Sequence, residues 1–194
     1  DPFRQLEETL PTPTSTRAAS GAPGHRYWQQ RADYNIKVRI DDAKQHLEGS
    51  QRIRYFNESP DTLDYVWLQL DANIYAPDSD SVRARSAPGF SRMPYRSLRR
   101  IFARATFDGS VKLTRVQSGG KDLNYVVVGT MMRIDLPKPL ASGKRVDLDI
   151  DWNYAINDSD RVSGRTGYEF FEDDKNYIYE IAQWFPRMVA YTDV

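Results

Sequence analysis

Apolar and polar residues alternate without a break between positions 145 and 154. The apolar set contains Val146, Leu148, Ile150, Trp152 and Tyr154, and the intervening set contains Arg145, Asp147, Asp149, Asp151 and Asn153. A repeat of two residues places successive side chains on opposite faces of an extended backbone. This pattern predicts a long β-strand with one face on a core and the other face in solvent.

Shorter segments of the same character recur along the chain. They are residues 34–40, 47–56, 63–70, 111–116, 123–128, 132–136, 168–171 and 177–182, with turn sequences at 57–61, 118–122 and 172–176. Gly49 is a possible bulge or twist point. The segment 63–70 is apolar on both faces, so we expect a central strand covered on both sides. Residues 83–100 have room for a short helical turn, and no long helix is predicted.

This succession of strands and turns indicates an all-β fold. Roughly eight to ten mostly antiparallel strands are typical of a saddle-like β-sandwich. Residues 1–26 are rich in Pro, Ser, Thr, Ala and Gly, and such a composition buries too little surface to offset the entropy of ordering. We therefore predict an extended arm or linker over 1–26 and one β-domain over 27–194.

Composition excludes several classes of function. The net charge of zero gives no global field toward nucleic acid or an anionic membrane, so neither is an expected partner. No apolar run reaches the roughly 20 residues that cross a bilayer. Cysteine is absent, which excludes disulfides and thiolate sites. The chain opens at Asp1 without Met, so we expect that a leader was removed and that the protein is periplasmic or secreted.

The residues that could carry catalysis are few. The two histidines, His25 and His46, do not form a His-Glu-x-x-His motif, and no Gly-x-Ser-x-Gly elbow or phosphate loop occurs. The three aspartates of the alternating strand fit a solvated face better than a catalytic carboxylate pair. The aspartate pairs at 78 and 80 and at 158 and 160 do not match a calcium-binding loop. We predict no catalytic residue and no metal ligand in this chain.

One segment concentrates positive charge. Residues 83–104 contain seven arginines and no acidic residue, interleaved with Phe90, Tyr95 and Phe102. One interpretation is a nucleic-acid-binding patch. The other is that the guanidinium groups pack on acidic groups of a neighbouring domain or of this chain, and the neutral composition favours it.

Three sequence elements carry a resemblance to a known family. They are Tyr-Trp-Gln-Gln-Arg-Ala-Asp-Tyr at 27–34, Asn-Glu-Ser-Pro-Asp-Thr-Leu at 57–63 followed by Val-Trp-Leu-Gln-Leu at 66–70, and Ile-Ala-Gln-Trp-Phe-Pro-Arg-Met at 181–188. Together they resemble the N-terminal domain of bacterial aminopeptidase N-like zinc metallopeptidases, the gluzincins that include leukotriene hydrolase. The resemblance covers about residues 27–194.

This resemblance implies a β-saddle domain that precedes a separate catalytic domain of the same polypeptide. Zinc, its His-Glu-x-x-His helix and the Gly-x-Met-x-Asn loop would belong to that missing domain. An aromatic run at 177–188 lies beside the chain end, where we expect a further domain to cover it. The resemblance assigns Gln183 to binding the free α-amino group of a peptide substrate. The family usually has an acid or amide two residues later, where this chain has Phe185.

The alternative is a stand-alone β-sandwich module that binds carbohydrate or protein. Trp152, Trp184 or the arginine segment would carry such binding. Exposed, coplanar aromatic rings on one sheet face would favour this alternative, and burial of the rings would count against it.

Overall fold

The computed structural model describes residues 12–84, 93–162 and 164–192. The described strands are β1 Arg31–Asp41, β2 His46–Asn57, β3 Leu63–Gln69, β4 Lys112–Ser118, β5 Lys121–Asp122, β6 Tyr125–Val128, β7 Met131–Leu140, β8 Lys144–Ala155, β9 Thr166–Phe171, β10 Asn176–Ile181 and β11 Arg187–Met188. Helices are fewer: a 3-10 helix at Asp71–Tyr75, α1 at Asp80–Arg83 and α2 at Tyr95–Thr106.

These strands form two sheets and a hairpin. One sheet has the order β1-β2-β8-β4-β5, the other has the order β11-β3-β7-β6, and β9 pairs with β10. Every strand pairing in these sheets is antiparallel. Buried side chains from both sheets, such as Ile53, Leu68, Ile134 and Leu148, belong to one core cluster. The prediction of an all-β sandwich is confirmed.

Strand β8 confirms the alternating pattern. Leu148 and Ile150 are fully buried, while the aspartates between them lie on the outer face. Each of these aspartates binds an arginine on a neighbouring strand: Arg54 Nε lies 3.0 Å from Asp147, Arg52 Nε lies 2.7 Å from Asp149, and Arg115 lies 2.9 Å from Asp151. The hydrogen bond from Arg54 lowers the pKa of Asp147. The three aspartates therefore form cross-strand ion pairs on a solvated face of the sheet.

Gly49 is not a bulge, contrary to the prediction. The register of β2 runs without a shift past Gly49 on both of its neighbouring strands. Gly49 faces Trp152, and a Cβ atom built on Gly49 would overlap the indole ring. The glycine is required because it leaves room for the largest fully buried side chain. The register shifts lie instead between Leu63 and Tyr65 and between Leu113 and Arg115.

Strand β3 is central, as predicted, but it is covered on one face only. Val66 and Leu68 are buried, whereas Tyr65 and Trp67 are 44% and 36% exposed on the opposite face. The predicted strand 123–128 is shorter in the structure, where β6 covers Tyr125–Val128, and residues 121–122, predicted to lie in a turn, form β5. Residues 121–122 pair with the first sheet and residues 125–128 with the second, so the chain changes sheets at Leu123.

The prediction that no long helix occurs is wrong, because α2 has 12 residues. Its ends lack the usual sequence signals. Pro94 occupies the N-cap and forms no side-chain cap, and Phe107 stands at the C-cap where glycine is common. Without caps, the arginine-rich sequence resembled a loop.

The described part of the predicted arm, residues 12–26, lies outside the sheets. It forms a small turn in which Arg17 and Pro23 make an isolated bridge and Arg26 N donates to Ser15 O at 2.9 Å. Arg17 lies over the Tyr27 ring, 5.3 Å from its centroid. Residues 1–11 lie outside the described residues, so the division at residue 26 stays a prediction.

Asn57 connects the two sheets through its fully buried side chain. Its Nδ2 donates to Leu140 O at 2.8 Å and to Asp61 O at 2.7 Å. Its Oδ1 accepts from Ser59 Oγ at 2.6 Å and from Gln30 Nε2 at 3.0 Å. Asn57 ends β2 of one sheet, and Leu140 ends β7 of the other. The 57–61 turn is thus fixed by one amide group.

We expect Asn57→Ala to destabilise the protein by about 2–4 kcal/mol, because it leaves several buried backbone and side-chain groups without partners. Urea unfolding monitored by tryptophan fluorescence measures this change. Asn35→Ala, the same substitution at an exposed position of β1, is the control and should change stability by less than about 0.5 kcal/mol. Equal effects of the two substitutions would contradict the role assigned to Asn57.

Candidate functional site

A cavity of about 270 Å³ lies where the 3-10 helix, α2, the end of β8 and the start of β9 meet. Most of its lining is apolar, including Ile74, Tyr75 and Ala155. Polar groups reach it from Arg104, Thr166 and Gln183. A concave apolar surface with a few convergent polar groups is the usual form of a binding site.

Gln183 stands at this cavity in the turn that follows β10. Its side chain is exposed, and its backbone is in the left-handed region with a φ of 54°. The resemblance implies a Gln near the end of the last strand of the domain. In the structure Gln183 lies two residues beyond Ile181, where β10 ends. The predicted residue is therefore at the cavity, and its role in binding stays a prediction.

The backbone around Gln183 is held by bonds to buried strands. Tyr154 OH donates to Trp184 O at 3.2 Å, and Gln51 Nε2 donates to Pro186 O at 2.9 Å. A left-handed backbone at a non-glycine residue costs about 1–2 kcal/mol, which such anchors can offset. Burial strongly raises the pKa of Tyr154, so its hydroxyl stays protonated and keeps donating.

Tyr75 supplies an aromatic ring of the cavity wall. It is buried, and burial raises its pKa. The ring packs edge-on against Phe107 with the centroids 6.5 Å apart. A Cβ atom at Gly164 would overlap the Tyr75 hydroxyl, so only glycine allows this close approach.

The charged groups beside the cavity bind other parts of the protein. Arg187 forms a two-point ion pair with Asp71, at 2.9 Å from Nε and 3.1 Å from the terminal nitrogen. Buried Arg104 donates to Ile74 O and, at 2.9 Å, to Ser81 Oγ. The guanidinium of Arg104 also lies 5.2 Å from the Tyr75 ring centroid. These pairs fix the walls of the cavity.

Sequence reasoning missed Asp71, Tyr75 and Arg104 as parts of this site. A weak signal existed for Asp71, because an acidic residue follows directly after the apolar strand 63–70. Arg187 lies in the Phe-Pro-Arg element, but its partner is 116 positions away in sequence. Pairs of that separation cannot be read from local patterns.

The described residues offer no set of zinc ligands. No group of three or more His, Cys, Asp or Glu side chains capable of holding a metal ion occurs among them. His46 Nε2 lies 3.1 Å from Asn153 Oδ1, and Asp158 binds Arg161 at 3.1 Å. The zinc that the resemblance implies therefore does not fit the described residues of this chain. The described lining also has no histidine, cysteine or lysine.

The arginine segment is only partly described, since Arg85 and Arg92 lie outside the described residues. Arg104 is buried in the cavity wall, and Arg100 Nε donates to Asp160 O at 3.1 Å. Within the described ranges, Arg83, Arg96 and Arg99 form no ion pair with an acidic side chain. This finding counts against packing of these three residues on the acidic side chains that the structure describes.

The tryptophans proposed for a stand-alone binding module are not exposed. Trp152 is 1% exposed, and Trp184 is half-buried with its ring 6.4 Å from that of Trp152. Tyr65 and Trp67 form one aromatic pair that faces solvent. Their rings are nearly perpendicular, at 87°, and therefore do not form the coplanar platform expected for such a module.

No protein-family model matches the chain, and no curated protein matches it either. The M1 zinc metallopeptidase from Deinococcus radiodurans aligns with a TM-score of 0.42 and 13% identity over 73% of this chain and 24% of that chain. A mutant of the M1 zinc metallopeptidase from that organism, bound to Tyr-Ser-Ala, aligns with a TM-score of 0.41 and 12% identity, covering 66% of this chain and 21% of that one.

A mutant of a two-domain M1 zinc metallopeptidase bound to L-tryptophan gives a TM-score of 0.41 and 12% identity over 70% of this chain and 23% of that chain. The chain thus spans 21–24% of the length of these three structures. Similarity of this degree does not define an activity. Among the described residues, no helix is long and apolar enough to cross a membrane.

The Asp71–Arg187 pair should contribute measurably to stability because both side chains are half-buried and the contact has two bonds. In a double-mutant cycle with Asp71→Ala and Arg187→Ala, we expect a coupling free energy of about 1 kcal/mol. The more exposed Arg39–Glu48 pair is the control, with an expected coupling below about 0.5 kcal/mol. Urea unfolding of the parent and the six variants gives both values. A larger coupling for the exposed pair would contradict this ranking.

Proposed function

We propose that this chain is the non-catalytic N-terminal domain of a zinc aminopeptidase-like metallopeptidase. In this proposal the domain walls the active-site cleft and helps to bind the N-terminus of a peptide substrate. The observation that carries it is the exposed Gln183 side chain at the apolar cavity, next to backbone that is anchored at Trp184 and Pro186. The resemblance carried by residues 27–34, 57–70 and 181–188 supports it.

The chemistry of an amide side chain suits this role. The Oε1 atom of Gln183 can accept a hydrogen bond from an ammonium group, and the neutral amide carries no charge that must be desolvated. Because the turn at Gln183 is bonded to β2 and β8, the backbone from which its acceptor side chain extends stands at a fixed place. A fixed acceptor can set the distance from the substrate's amino group to the bond that is cleaved.

The proposal includes a partner that carries the reaction. The described cavity lining contains no pair of nucleophile and base, so the reacting groups would come from a catalytic domain of the same polypeptide. Zinc belongs to that domain in the proposal. A periplasmic or secreted location is part of the same proposal.

In the longer enzyme, removal of the Gln183 side chain should weaken binding of substrates that have a free amino group. A hydrogen bond to a charged group contributes about 1.5–3 kcal/mol, so KM should rise at least about tenfold. Gln183→Gly is the preferred variant because glycine keeps the left-handed backbone without strain. Gln183→Ala should give the same result with a small additional loss of stability.

Steady-state kinetics with matched free and N-acylated peptides measures this effect. The acylated peptide lacks the ammonium, so its KM should change much less. Gln29→Ala, at an exposed position on the segment before β1, is the control and should leave both substrates unchanged. Equal increases in KM for the two peptides would show that Gln183 does not bind the amino group of the substrate.

The isolated chain should bind no zinc stoichiometrically and should hydrolyse no aminoacyl substrate. The described residues lack a cluster of metal ligands, which is the physical reason for this expectation. Isothermal titration with Zn²⁺ and assays with aminoacyl amides would measure it, with a chelator-treated sample as control. Metal-dependent turnover that co-purifies with the chain would overturn the proposal of a non-catalytic domain.

A further inference from the structure

Helix α2 presents most of its apolar side chains to solvent, and Leu98 is half-buried. At helical spacing, Tyr95, Leu98, Phe102 and Ala105 share one stripe, with Ile101 beside it. Tyr95 is 78% exposed and Phe102 is 63% exposed. Arg104, on the opposite side of the helix, is its only buried residue. An amphipathic helix on a folded domain normally buries the apolar stripe, so this orientation is reversed.

The reversed orientation is fixed by polar contacts. Arg104 donates to Ile74 O and Ser81 Oγ, and Arg100 donates to Asp160 O. These bonds join the inner side of α2 to the 3-10 helix, to α1 and to the loop after β8. The helix cannot turn its apolar stripe inward without breaking them. The stripe therefore lies on the outer surface of the described residues.

Two arginines flank the stripe. Arg96 and Arg99 are exposed, and neither one makes an ion pair within the described part of the chain. The sequence of the helix contains no acidic residue. The neutral net charge of the whole chain argues only against a long-range field, because exposed charges are screened beyond about 8 Å at physiological salt. The exposed face of α2 itself is therefore positive and apolar.

We propose that the outer face of α2, defined by Tyr95, Arg96, Leu98, Arg99 and Phe102, binds an anionic lipid membrane. Aromatic and aliphatic side chains at the surface of a basic helix are suited to the boundary between head groups and acyl chains, where such helices lie in the plane of the interface. The arginines match the anionic head groups in charge. The helix lies on the bilayer and does not cross it.

Other occupants fit these observations less well. A symmetric contact between the α2 helices of two copies would place arginines of the same sign against each other. Nucleic acid would match the charge, but it would leave Leu98 and much of the apolar stripe uncovered. An anionic bilayer satisfies the charge and the apolar stripe together.

Vesicle co-sedimentation tests this inference with the 194-residue chain. We expect binding to vesicles of phosphatidylcholine with 30–40% phosphatidylglycerol, on the order of physiological anionic content, and at least about tenfold weaker binding to phosphatidylcholine alone. Each arginine near an anionic surface contributes about fivefold to the binding constant. The double variant Arg96→Gln/Arg99→Gln should therefore bind about 25-fold more weakly. Phe102→Ser should weaken binding to anionic vesicles without changing the response to salt.

Matched controls distinguish vesicle binding by α2 from nonspecific binding through any exposed cationic or apolar side chain. Arg26→Gln/Lys121→Gln removes two exposed cations from other elements, and Val128→Ser removes a side chain that is 69% exposed on β6. Both control proteins should bind vesicles like the parent. Circular dichroism should show that every variant keeps its fold, because all substituted side chains are exposed.

Three outcomes would overturn the inference. The first is an absence of binding to anionic vesicles by the folded parent chain. The second is equal loss of binding in the control variants and the helix variants. The third is binding of a single-stranded oligonucleotide that depends on Arg96 and Arg99 while vesicles are not bound, which would assign the surface to nucleic acid instead.

Discussion

The two sheets depend on a small number of buried asparagine amides. A sandwich core is held by apolar contacts that have little direction, so the ends of the sheets need polar groups that fix their relative position. Asn57 does this at one end by bonding to the last residue of β7. Asn73 does the same elsewhere: its Nδ2 donates to Gly129 O at 2.8 Å, and its Oδ1 accepts from Val111 N at 2.9 Å. Each amide joins backbone segments that belong to different sheets.

A third buried asparagine makes similar hydrogen bonds next to the cavity. Asn157 is 2% exposed, and its Nδ2 donates to Val162 O at 2.6 Å and to Thr166 O at 2.7 Å. It thereby closes the loop between β8 and β9, which carries Gly164 against Tyr75. Buried amides that have all their partners restrict a loop to one arrangement. The cavity wall therefore rests on the same kind of polar contact that aligns the sheets.

The alternating pattern allowed the strands to be predicted but not their partners. Strand β8 followed directly from residues 145–154, whereas its register with β2 depends on the fit of Trp152 over Gly49, which is a long-range contact. For helix α2, only a short helical turn within residues 83–100 was predicted, because the ends of the helix carry no capping side chain. Gln183 was identified by resemblance, but its left-handed backbone could not be predicted, since it results from anchors on Gln51 and Tyr154.

Helix α2 is the element that the proposed cleft and the proposed lipid surface share. Arg104 on its inner side lines the cavity, while Tyr95 and Phe102 lie on its outer side. A helix with its side chains is about 10–12 Å across, so a helix lying on a bilayer would separate the lipid from the cavity by about that distance. The cavity would then remain in water but close to the membrane surface. Contacts of the outer stripe can vary without disturbing the cavity, because the bonds of Arg104 to Ile74 and Ser81 hold the inner side independently.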